Sequence, residues 1–148
     1  MPSLPQTGQE SQSISSRKIG ACEMSAGNKE LVRKYFAALS GQPKPVELVN
    51  LYVEEQPLRD HILQTEIGFP QYFLESEDMI AEGDQVAVKA RLRGTHLGTF
   101  NGIPATGRYI DVPFHITYRI KNGKIIDHWM IMDSLVFLQQ LGVMQQQA

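Results

Sequence analysis

The chain has 148 residues, of which 42% are apolar and 20% charged, a composition that supports one domain with a sizeable core. Its 14 basic and 16 acidic side chains are spread along the chain and give a formal net charge of -2. That leaves no basic footprint for nucleic acid or an anionic membrane, so neither is expected as a partner. No stretch approaches the roughly 20 apolar residues of a spanning helix and no secretory core opens the chain, so the cytosol is the expected compartment. Cys22 is the single cysteine; no internal disulfide can form, and the thiol reads as incidental.

Residues 1 to about 27 are rich in Ser, Gln, Gly and Pro without a sustained apolar period, which predicts a disordered arm, with Met24 a second candidate start. The domain is expected over residues 28–142. From Asn28, a plausible N-cap, Leu31, Val32, Tyr35, Phe36 and Leu39 recur at helical spacing up to Ser40-Gly41. Pro45 suits a first turn, and Val46, Leu48, Val49 and Tyr52 predict a second short helix. A third runs from about Pro57 to Ile67, with Leu58, Ile62 and Ile67 on one side, until Gly68-Phe69-Pro70 breaks it.

The period then changes from helical to alternating. Strands are expected at Tyr72–Glu82, Gln85–Thr95, Tyr109–Ile120 and Lys124–Met132, paired as hairpins through Gly83-Asp84 and Asn122-Gly123. Helices followed by long antiparallel hairpins predict an α+β domain with the helices on one face of the sheet. The Gly- and Pro-rich stretch from Gly98 to Arg108 reads as a loop of the kind that rims a pocket. A final helix, Ser134 to Leu141, ends at Gly142, and residues 143–148 are expected to fray.

The last hairpin decides which side chains share a face, because a one-residue slip inverts a strand. With a three-residue Lys121-Asn122-Gly123 loop, Ile120 faces Lys124 and the even residues fall together: Val112, Phe114, Ile116 and Tyr118 with Ile126, His128, Met130 and Met132. That face is apolar with one imidazole and suits a ligand cavity under the helices. The odd face, with His115, Thr117, Ile125, Asp127, Trp129 and Ile131, is too apolar for plain exposure, and a second subunit could cover it. A two-residue Asn-Gly turn would shuffle these faces.

The stretch GTHLGTFNGIPATGR (94–108), the strands YRIKNGKIIDHW (118–129) and the ending DSLVFLQQLG (133–142) resemble the SnoaL-like family of ester and polyketide cyclases within the nuclear transport factor 2-like superfamily. Phe69-Pro70 and DMIAEGD (78–84) fit the same pattern, and the similarity covers roughly Lys29 to Gly142. The resemblance implies a cone-shaped curved sheet of about four to six strands packed against N-terminal helices, a pocket between them, and a homodimer built through the sheet. It also implies cofactor-free ring closure of a polyketide-like substrate, an intramolecular aldol step in which a carboxylate moves protons. This chain departs from that pattern. The family's acid/base aspartate stands two residues after the histidine of the His-Trp pair, which is Met130 here, and an assisting histidine would fall at Ile116.

Candidate residues follow. His128 is the titratable group on the even face and reads either as a proton carrier or as a core histidine. Asp133 can replace the missing carboxylate, although a cap for the final helix is the favoured role. His96 either lines the pocket mouth or pins the loop, and Tyr118 either holds an oxyanion or is core. Phe114, Ile116, Tyr118, Met130 and Met132 would form the ligand wall. His61, His96, His115 and His128 show no zinc-type spacing, so no metal is expected, and no cofactor either. The glycines at 94, 98, 102 and 107 lack the context of a phosphate loop, and no serine stands in a nucleophile elbow. Two readings remain: an apolar-ligand protein that cyclises or isomerises its ligand, and a non-catalytic ligand-binding or dimeric interaction module.

Overall fold

The computed structural model describes residues 9–144. The elements are α1 (Gln9–Leu39), α2 (Val46–Tyr52), α3 (Gln56–Gly68), β1 (Phe73–Glu82), β2 (Gln85–Thr95), β3 (Tyr109–Lys121), β4 (Lys124–Met132) and α4 (Ser134–Gln140). Helix α1 starts upstream of the expected N-cap. Asn28 lies inside it and donates its side-chain amide to the Gly83 carbonyl at 3.4 Å, tying the helix to the β1–β2 turn. Of the segments expected as arm and tail, residues 1–8 and 145–148 lie outside the described residues.

Helix α1 buries Val32, Tyr35, Phe36 and Leu39 on one stripe against the sheet. In α3 the buried stripe is Leu58, Ile62, Thr65 and Gly68. Ile67, expected on that side, is 65% exposed, because the helical period carries position 67 past the stripe.

The four strands form one antiparallel sheet in the order β1-β2-β3-β4. The expected cone does not form. Each strand pairs only with its neighbours in sequence and β1 does not meet β4, so the sheet stays open. The space above it is closed by helices from both ends of the chain, α4 included, rather than by curling of the strands. Among the described residues no helix is long and apolar enough to cross a membrane.

The β3–β4 turn also differs from expectation. Lys121 pairs with Lys124, and Asn122 and Gly123 both have positive φ (52° and 73°), the two-residue form in which an Asn-Gly pair matches strand twist. Ile120 therefore faces Ile125, which is fully buried instead of lying on the outer face. A bulge follows at once: Arg119 pairs with Asp127, leaving Ile126 as the extra residue. It restores the parity, so Tyr118 pairs with His128, Ile116 with Met130 and Phe114 with Met132.

The core has two lobes. The larger joins α1, α2 and α3 to the middle of the sheet. The smaller gathers Phe69, Tyr72, Phe100, Ile110, Val112, Phe137 and Leu141 where the β2–β3 loop and α4 meet. Gln140 locks α4 to the β3 edge, accepting from Asp111 N at 2.7 Å and donating to Asp111 O at 3.0 Å.

Candidate active site

A partly open cavity of about 60 Å³ lies between the two lobes. On the measure by which one water needs about 10–15 Å³, it holds roughly four to six waters, the volume of a single small ring. Helix α3 supplies Leu58, His61, Ile62 and Thr65, and α1 supplies Tyr35. The sheet supplies Leu92, Phe114, Ile116, Tyr118, Met130 and Met132, and Phe69, Phe100 and Phe137 close the loop end. Two walls are unbranched thioethers, which can rearrange for a larger ligand.

The expected wall residues Phe114, Ile116, Tyr118, Met130 and Met132 thus surround one space. The polar side chains that line it are Tyr35, Tyr72, Tyr118, His61 and Thr65. The Tyr35 and Tyr118 rings meet edge to face at 5.7 Å, and burial holds both phenols well above the ordinary tyrosine range. They therefore stay protonated donors at neutral pH.

His128 stands just outside the cavity, across the strands from Tyr118. Its Nδ1 is hydrogen-bonded to Glu55 Oε1, which fixes the proton on Nδ1 when Glu55 is ionised. The pairing follows from the backbone. Val53 bridges to Ile125 and Glu54 N donates to Ile125 O at 2.9 Å, so the α2–α3 junction lies along the β4 edge and delivers Glu55 to His128. The second carboxylate oxygen of Glu55 is buried with no partner among the described residues.

His96 and Asp133 lie apart from these groups. His96 is fully buried and stacks on Phe69 at 5.0 Å, and its Nδ1 accepts from Thr106 N at 3.2 Å. Gly107 N and Arg108 O complete the same loop closure through the His96 backbone, so this side chain pins the loop. Asp133 is exposed and accepts from Val136 N at 3.1 Å, which caps α4. The loop is docked further by Leu97 N and Gly98 N, which both donate to Gly68 O, and a Cβ at Gly98 would collide with the Ile67 carbonyl.

Two residues of the site were not singled out from the sequence. His61 had a signal, since it lies on α3 three residues after Leu58 and four before Thr65, next to the apolar stripe. Glu55 had none, because its partner is 73 residues away. Burial, and then the neighbouring His128, lower the His61 pKa below its usual 6.5, so the ring is neutral at pH 7. Among the described residues no group of three or more His, Cys, Asp or Glu side chains is placed to hold a metal ion.

The match to known families agrees with this architecture. Residues 28–141 match the family model of the SnoaL-like polyketide cyclases, and the chain belongs to that family. Solved structures share the fold. AclR from Streptomyces galilaeus is 21% identical with a TM-score of 0.71, covering 84% of this chain and 86% of its own. TsrD from Streptomyces laurentii is 23% identical with a TM-score of 0.69, covering 80% and 97%. A SnoaL-like polyketide cyclase from Agrobacterium tumefaciens is 19% identical with a TM-score of 0.65, covering 78% and 98%. No curated protein matches the chain.

Proposed function

We propose that this chain binds a compact apolar molecule bearing a carbonyl group in the cavity between α3 and the sheet. There it promotes a cofactor-free isomerisation or ring closure by moving a proton. The observation that carries this reading is a cavity of mostly apolar walls whose lining also includes protonated phenols and an imidazole. Apolar walls bind the ring, and the phenol donors orient the oxygen on which negative charge develops. Membership of the polyketide cyclase family supports the same class of chemistry. His128 stands behind Tyr118, so in this reading it acts through its neighbours and not by direct contact.

Thermal melts with cyclohexanone and related single-ring ketones test the binding step. Ligand at 100 times its dissociation constant stabilises by about 2.7 kcal/mol. That gain should vanish in Met130→Trp, which fills the cavity. Absence of any stabilisation in the unmodified chain would remove the reading.

One observation favours the second reading, a binding module without turnover. A thioether, Met130, occupies the cavity wall where the resemblance places a carboxylate, and it can neither take nor give a proton. The outer face supports a homodimer in either case, since Trp129 is 63% and Ile131 56% exposed on it. Light scattering should give twice the chain mass, falling to one chain mass in Trp129→Glu.

A further inference from the structure

His61 is placed unlike the other three histidines. His115 is exposed, His96 is held by Thr106 and His128 by Glu55, and none of the three lines the cavity. His61 does line it, and among the described residues no hydrogen bond holds its ring. Its backbone position is firm nonetheless. Leu58 and Ile62 anchor the surrounding turn in the core, and Thr65 Oγ1 donates to the His61 carbonyl at 2.7 Å. A side chain fixed at its root, facing an apolar space and without a protein partner is available to a ligand.

From this placement we propose that His61 is the catalytic base of the cavity. It takes a proton from the carbon next to a ligand carbonyl, while the Tyr35–Tyr118 hydroxyl pair holds the enolate oxygen. The inference rests on the small-molecule reading above and names the group that touches the ligand. The titratable groups around His61 are Tyr35 from α1, Tyr72 ahead of β1, Tyr118 from β3, and the Glu55–His128 pair at the start of α3 and on β4. The tyrosines stay neutral, and the nearby imidazole disfavours a second positive charge, so His61 rests in the proton-accepting form.

The step can be read with 3-cyclohexen-1-one, a single-ring ketone of the size the cavity admits. His61 removes a proton from C2, and the electron pair passes through the dienolate, so the double bond moves from C3–C4 to C2–C3. The imidazolium then returns the proton at C4. The product is the conjugated isomer, followed by its ultraviolet absorbance, and no oxidant or co-reactant is consumed.

The unmodified chain should bind this ketone and isomerise it faster than buffer. His61→Gln should lower kcat by about 100-fold or more, the usual contribution of a positioned base, with the dissociation constant little changed. The rate of the unmodified chain should rise with pH to a plateau, with a midpoint below 6.5. That profile decides the matter if the variant does not fold. Binding without isomerisation, equal rates in the two proteins, or a profile lacking that midpoint overturns His61 as the base and leaves the binding reading intact. Failure of the ketone to bind removes both.

Discussion

Two histidines, His96 behind the loop end and His61 in the cavity wall, are buried or half-buried, yet the protein uses them differently. At the loop end, His96 is stacked on Phe69, and a backbone N–H occupies its acceptor nitrogen. In the cavity wall, His61 faces open space and its charge state is set by burial and by His128. Burial alone therefore does not mark a site. The distinguishing property is whether the ring lines the cavity, since His96 Nε2 is also buried without a partner among the described residues yet faces no ligand space.

The contrast can be broken most strongly at the loop end. Phe69→Ala removes a fully buried ring that packs on His96, Phe100 and Phe137, and should cost about 3–5 kcal/mol in denaturant unfolding. Gly98→Ala should cost about 1–3 kcal/mol, because the new methyl must displace the loop from the Ile67 carbonyl. Asp133→Ala should cost about 1 kcal/mol, the value of a cap, with no effect on turnover. A larger loss of turnover than of stability in that variant would return Asp133 to the site.

At His61 the expected effect is smaller and confined in pH. The folded pKa of His61 is below its unfolded value of 6.5, so the unfolded chain binds the proton more readily. The contribution to stability is complete above pH 6.5 and is lost as pH falls through the folded pKa. His61→Gln should flatten that slope and leave stability above pH 7 nearly unchanged. An unaltered slope would mean that another group is responsible.

Much of this was legible in local sequence. The stripe Val32, Tyr35, Phe36 and Leu39 announces a helix face, and the alternation from Val112 to Tyr118 announces the cavity floor, because both depend only on near neighbours. The failures arose where distant segments meet. Glu55 reaches His128 because the α2–α3 junction lies along β4, and the open sheet follows from strand pairing that no single strand specifies. Ile125 failed for a different reason: two turn geometries fit Asn122-Gly123, and they differ by one residue.

The bulge at Ile126 works as a frame correction. A two-residue turn alone would send Trp129 inward and His128 outward, and the extra residue cancels that shift within three positions. The inside-outside phase of β4 is therefore set by the turn and the bulge together. Removing Ile126 alone would erase the bulge and leave Asp127 opposite Arg119, His128 opposite Tyr118 and Trp129 opposite Thr117, so the strand would keep its faces.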